Sequence, residues 1–237
     1  MKKYHLIAAL SGLLIVTGVA SAEEEEGFSG RVGLGYIATS GNSDSKSANG
    51  SFDLLWNYEP WRHSLNATAI QSSTSGVTTA ESFGLTAQSK YDFSDKSYFF
   101  GLVAFNSDEF SSIDQQTRAA VGYGRHVIDT DKHVLNLEIG AGQRWADLRD
   151  GTSEDEVIYR LGGNYLWNIS ETSKFTQTLS IESGSSNTYT EAVSALKANI
   201  LDTLALVLSF TVKNNSDVLP GIDKTDTATA ISLEYTF

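Results

Sequence analysis

The chain has 237 residues, no cysteine, and 29 acidic against 17 basic residues, a net charge of −12 at pH 7. The missing cysteines exclude disulfides, thiolate metal centres, cysteine nucleophiles and a lipidated lipoprotein cysteine. The acidic balance argues against a nucleic-acid partner, whose phosphates need a basic surface.

Residues 1–22 read as a cleaved secretory signal. Lys2 and Lys3 precede the apolar stretch Leu6 to Ala20, and Ala20-Ser21-Ala22 forms a small-x-small cleavage site before the acidic run Glu23 to Glu26. A permanent membrane helix would need about 20 apolar residues. Loss of Lys2 and Lys3 takes the net charge from −12 to −14. No later window approaches the length of a helical span. A membrane location for residues 23–237 therefore requires a closed barrel, whose strands satisfy one another's backbone groups.

Period-two alternation runs through the rest of the chain. Val32, Leu34, Tyr36 and Ala38 alternate with Arg31, Gly33, Gly35 and Ile37, ending at Ser40-Gly41-Asn42-Ser43-Asp44. Phe52, Leu54, Trp56 and Tyr58 oppose Ser51, Asp53, Leu55 and Asn57 up to a tight turn at Glu59-Pro60. Trp61, His63, Leu65, Ala67 and Ala69 follow, with a polar loop expected over 71–80. Phe83, Leu85, Ala87, Tyr91 and Phe93 share the next apolar face, and a turn stands at 94–96. Residues 97–106 are apolar on both parities, so their facing is open.

Beyond a loop at 107–116, Ala119, Val121 and Tyr123 oppose Arg118, Ala120, Gly122 and Gly124. Leu135, Leu137, Ile139 and Ala141 oppose Asn136, Glu138, Gly140, Gly142 and Arg144. An acidic loop is expected over 147–156. Val157, Tyr159, Leu161, Tyr165 and Trp167 then face away from Arg160, Gly162, Asn164 and Asn168. Phe175, Leu179 and Ile181 oppose Glu182. Ala192, Leu196, Ala198 and Ile200 mark a weaker strand, and Leu204, Leu206, Leu208, Phe210 and Val212 a strong one. After a loop at 213–224 the chain ends on Ile231, Leu233, Tyr235 and Phe237, with Ser232 and Glu234 on the other face.

About twelve strands of roughly 9 to 13 residues result, the length a tilted membrane strand requires. Longer polar loops alternate with short turns, which is the layout of an antiparallel up-and-down outer-membrane β-barrel with short periplasmic turns and longer extracellular loops. Trp56, Tyr58, Trp61, Tyr91, Phe93, Tyr98, Tyr165, Trp167, Phe175, Tyr235 and Phe237 bunch near the short turns, as a periplasmic girdle would. Tyr36, Phe83, Trp145, Tyr159 and Phe210 suit the outer girdle. A soluble β-sandwich accounts for the apolar parity but not for the bunching. The aromatics at the last and third-last positions, Phe237 and Tyr235, resemble the signal read by the bacterial barrel-assembly machinery, with Ser232 where that signal often has Gly.

Further resemblance lies in Leu34-Gly35-Tyr36, Thr39-Ser40-Gly41-Asn42-Ser43, Gly122-Tyr123-Gly124-Arg125, Glu138-x-Gly140-x-Gly142-x-Arg144 and Lys174-Phe175-Thr176-Gln177. In order and spacing these are similar to the YdiY-type family of salt-induced outer-membrane proteins of undefined function. The resemblance implies an outer-membrane barrel and a salt- or osmotic-stress setting, and it supplies no substrate or reaction.

No catalytic, cofactor-binding or metal site is expected. His63, His126 and His133 all lie near the periplasmic turns, away from where an outer-leaflet lipid hydrolase would need its base, and no Gly-x-Ser-x-Gly element occurs. By parity Arg118, Glu138, Arg144, Arg160, Glu182, Lys197, Lys213 and Glu234 point inward, with Asp53, Arg62 and Lys90. Arg118, Glu138, Arg144 and Arg160 lie on neighbouring strands and are expected to form a paired lumen network. Such charges either fill a narrow lumen with ion pairs and water or line a pore and set its selectivity. The acidic stretch 147–156 reads as a solvated loop. Divalent bridging to lipopolysaccharide is the sharper alternative, but the stretch lacks the calcium-loop spacing. The sequence thus points to an outer-membrane barrel of envelope-structural or stress-related role, without enzymatic activity. The alternative is a narrow channel for small solutes or ions, with a membrane hydrolase a distant third. Its partners would be outer-membrane lipids, lipopolysaccharide and the assembly machinery.

Overall fold

The computed structural model describes residues 27–39 and 45–237. The signal segment expected over 1–22, the acidic run after it and residues 40–44, where the first strand is expected to end, lie outside the described residues. The strands are β1 (Gly27–Thr39), β2 (Ser45–Tyr58), β3 (Trp61–Thr74), β4 (Val77–Ser94), β5 (Ser97–Asp108), β6 (Ile113–Asp129), β7 (His133–Leu148), β8 (Ser153–Ser170), β9 (Ser173–Ser183), β10 (Thr188–Leu201), β11 (Leu204–Asn215) and β12 (Thr225–Thr236). Each pairs antiparallel with its neighbours in sequence, and β1 pairs with β12 to close the barrel. Closure removes the open edges that a lipid environment would leave unsatisfied.

Alternation dictates facing. Leu34, Tyr36, Trp56, Phe83, Ile139, Tyr159, Leu206, Phe210 and Leu233 are all exposed on the outer wall, while Asp53, Arg118, Glu138, Arg144, Glu182 and Glu234 are buried within. An outward apolar wall around a polar interior inverts the arrangement of a soluble barrel and matches a lipid solvent.

Several expected loops are ladder instead. Between β3 and β4 only residues 75 and 76 turn the chain; both have positive φ, 52° at Ser75 and 79° at Gly76, the backbone of a two-residue hairpin. Of the acidic stretch 147–156 only 149–152 lies outside a strand. Polar side chains mislead here because a ladder is held by main-chain groups, and above the lipid both faces of a strand can be polar. Strands consequently run to 18 residues in β4 and β8. The long–short rhythm survives weakly, with two or three residues in each turn at one end and two to nine at the other among the described connections.

The closing seam is short in register, Arg31 to Leu34 against Thr236 to Leu233. Phe237 extends it by exchanging both backbone hydrogen bonds with Gly30, at 2.8 and 2.9 Å. Any Cβ at Gly30 would collide with the Phe237 ring, so glycine there lets the terminal aromatic lie across the seam.

Candidate functional site in the charged lumen

Clusters of ion pairs occupy the lumen, and each is built from inward positions of different strands. Toward the end bearing the 149–152 and 184–187 connections, Arg144 on β7 is 1% exposed and donates to Glu156 on β8 and to the Asn187 carbonyl at 3.2 Å. Glu156 also accepts from Ser186 N at 2.7 Å and Ser185 Oγ at 3.1 Å. A Cβ at Gly184 would collide with the Glu156 carboxylate. The carboxylate is thus enclosed by the β9–β10 connection rather than exposed on a loop.

At mid-height Glu182 on β9 accepts from Arg118 Nη1 and Arg160 Nη1, both at 2.8 Å. Arg118 also donates to Asn106 Oδ1 at 2.6 Å, and its guanidinium lies 5.7 Å from the Tyr189 ring centroid. Tyr189 in turn donates to Glu191 at 3.0 Å. Two guanidiniums sharing one carboxylate would repel without it.

Nearer the short turns, Glu138 on β7 accepts from Lys90 Nζ and from the Tyr98 hydroxyl, each at 3.0 Å. Lys90 lies 4.8 Å and Arg62 5.5 Å from the Tyr98 ring centroid, both within cation–π range. Arg62 makes a bidentate pair with Asp92 at 2.7 Å per bond. His126 packs on Tyr98 at 5.0 Å and bonds Asn136 at 2.6 Å. On the opposite wall Lys197 pairs with Glu234 at 2.5 Å and Arg31 with Asp53 at 3.7 Å.

Arg118, Glu138, Arg144 and Arg160 therefore all lie inside, but their ion pairs run to other residues. Arg118 and Arg160 meet through Glu182, Glu138 binds Lys90, and Arg144 binds Glu156. Sequence reasoning missed three of the groups that organise them. Glu156 was hidden in a charged run. Glu191 sat in a weak strand. Tyr98 belongs inside and not in the girdle, because its strand is apolar on both faces. The signal for Tyr98 was in its neighbours: a Cβ at Gly124 would strike the Tyr98 ring, and one at Gly122 or Gly140 would meet Phe100. Inward glycines here make room for aromatic rings, not for a pore.

A cavity of about 70 Å³ remains between the middle and lower clusters, lined by Asp53, Asn66, Gln88, Arg160, Glu182 and Glu191 among others. That is room for a handful of waters. The buried Arg118 Nε, Arg160 Nε and Glu191 Oε1 have no protein partner, and water there would satisfy such groups. Among the described residues no group of three or more His, Cys, Asp or Glu is arranged to hold a metal ion.

The closing aromatics stand where the alternation places them. Tyr235 and Phe237 are 50% and 58% exposed on the outer wall, with ring centroids 6.3 Å apart.

A family model described as "Protein of unknown function, DUF481" matches residues 32–237, nearly all of the barrel. The chain belongs to this family. The Uncharacterized protein YdiY of Escherichia coli (strain K12) is 27% identical over 215 residues, spanning 90% of this chain and 85% of that one. Among solved structures, KdgM porin superposes with a TM-score of 0.51 at 12% identity, covering 88% of this chain and 99% of its own. NanC porin gives 0.50 at 10% identity over 88% and 97%. The translocator domain of autotransporter NalP from Neisseria meningitidis gives 0.50 at 11% over 90% of each. At such identities the likeness is one of fold: an outer-membrane β-barrel whose lumen, in this family member, is crossed by ion pairs.

Proposed function

We propose that this protein is a non-enzymatic, structural barrel of the bacterial outer membrane, with its lumen closed to solutes and its role in the envelope under salt or osmotic stress. One observation carries the closed reading. Even small inward side chains around the circumference are nearly inaccessible: Thr68 is 3% exposed, Val193 2%, Ala205 2% and Ser209 3%. In an open pore such groups would be wet. Isolated buried charge is costly, so the paired clusters are the form in which a filled lumen tolerates Arg and Glu. The stress setting is what the resemblance to the YdiY-type family implies. Outer-membrane lipids and lipopolysaccharide surround the wall, and the assembly machinery reads Tyr235 and Phe237 during biogenesis.

Planar-bilayer recording of the refolded protein tests the closed lumen. A barrel that is heat-modifiable on gels and gives no steps above leakage is expected. Discrete steps would overturn closure in favour of a narrow channel for small solutes or ions. Lipid hydrolysis by the refolded barrel, abolished by replacing His63, His126 and His133, would overturn the non-enzymatic reading.

A further inference from the structure

Two histidines face outward at the short-turn end, each among outward aromatics and each bonded to a hydroxyl. His63 on β3 has its ring 5.1 Å from Trp56 and 5.8 Å from Trp61, and its Nδ1 bonds Ser89 Oγ at 2.8 Å. His133 on β7 has its ring 6.0 Å from Tyr165 and 6.1 Å from Trp167, and its Nδ1 bonds the Tyr165 hydroxyl at 2.8 Å. Each imidazole is thus flanked by two outward aromatics and tied through Nδ1 to a hydroxyl on the following strand. The main chain of His133 is pinned as well, since Thr130 N and Oγ1 both donate to its carbonyl at 3.0 and 2.9 Å.

We propose that His63 and His133 are two binding sites for the phosphodiester of phospholipids in the periplasmic leaflet. The inference rests on the outer-membrane reading above. In the tautomer in which the Ser89 or Tyr165 hydroxyl donates to Nδ1, the imidazole proton sits on Nε2 and makes Nε2 a donor. A lipid-facing donor at girdle height must find an acceptor, and the phosphodiester is the strong acceptor at that depth. The flanking rings Trp56, Trp61 and Trp167, each about two-fifths exposed, offer the glycerol and upper acyl chain a flat apolar seat. Phosphate gives the histidines a chemical role that further aromatics at the same positions could not fill. His126, inside the lumen beside Tyr98, has no route to lipid.

Histidine-labelled protein in maltoside micelles, verified as heat-modifiable, provides the test. Titration with dimyristoylphosphatidylglycerol should shift the Nε2 resonances of His63 and His133 and leave His126 unmoved. Dimyristoylglycerol and inorganic phosphate should shift neither. Native mass spectrometry should show one fewer retained phospholipid for each of His63→Phe and His133→Phe, which keep a ring but lose the donor. An inserted barrel with no phospholipid-dependent shift, an equal response to the phosphate-free lipid or to free phosphate, or unchanged lipid retention in both variants would overturn the assignment. A chain that fails to enter lipid or detergent at all would instead overturn the membrane reading.

Discussion

Asn49 Nδ2 donates to Ser232 Oγ at 2.9 Å, a bond that joins β2 to β12 across the lumen face of β1. Gly35 lies beneath it, and a Cβ there would meet both the Asn49 amide and the Ile231 carbonyl. The serine at this position of the closing strand therefore serves as an anchor for the seam. Asn49→Ala and Ser232→Ala should each cost about 0.5–1.5 kcal/mol, and the double variant less than the sum. Gly35→Ala should cost more, about 1–3 kcal/mol, because the backbone itself must move. Urea unfolding of the lipid-inserted barrel, followed by tryptophan fluorescence, measures all four.

Gly124 and Tyr98 form the tightest fit in the lower lumen. Gly124→Ala should destabilise the barrel by about 1–3 kcal/mol by displacing the ring. Adding Tyr98→Ala should relieve the overpacking, so that the double variant loses less than the two single losses combined. Strict additivity in the same unfolding assay would mean that the two residues do not share space.

Glu182 holds Arg118 and Arg160 together. Glu182→Leu leaves two buried guanidiniums without their carboxylate and should cost about 3–5 kcal/mol. Converting both arginines to methionine as well should recover most of that loss. A Glu182→Leu barrel as stable as the wild type would show that water, not the carboxylate, carries those charges.

Asp150 lies in the 149–152 connection, where its carboxylate accepts from Thr152 Oγ1 and from Thr152 N, at 2.5 and 2.9 Å. These bonds favour the ionised form and hold its pKa below the ordinary 3.8. A depressed folded pKa means that the turn's added order is present above the ordinary value and is lost as pH falls through the lowered one. Carbon-13 titration of the carboxyl should give a midpoint below 3.8 in the wild type, and Thr152→Ala should move it back up.

Phe237 rests on Gly30 at the seam. Phe237→Ala should lower the yield of heat-modifiable barrel in cells more than it lowers the unfolding free energy of protein refolded in vitro. Equal losses in the two assays would assign the residue to packing alone and leave no part for recognition by the assembly machinery.

How legible the chain is depends on which physical rule a feature obeys. Facing obeys period two, so Glu234, polar in an apolar closing strand, could be placed inside with no structure at hand. Partnership does not. Arg118 and Glu182 are 64 residues apart and meet only because the two intervening strands, β7 and β8, curve the wall round. Tyr98 could not be assigned by alternation, since Phe99 and Phe100 beside it are equally apolar. Its position is written instead in the glycines of β6 that accept its ring. Glu156 was obscured by composition: four acidic residues between 150 and 156 look like solvent-facing coil, yet one lies 5% exposed beside Arg144.

The long strands alter what meets the cell's surroundings. At about 3.3 Å per residue and a tilt near 40°, an 18-residue strand such as β4 or β8 rises roughly 45 Å, against an apolar band of about 25 Å. Beyond the outer ring of Phe83, Trp145 and Tyr159, the outward positions become Glu81, Asp147 and Asp155, still on hydrogen-bonded strands. In the outer-membrane setting proposed above, lipopolysaccharide sugars would stand against a stiff, negatively charged palisade, a surface that can fix spacing between neighbours in a way that waving loops cannot.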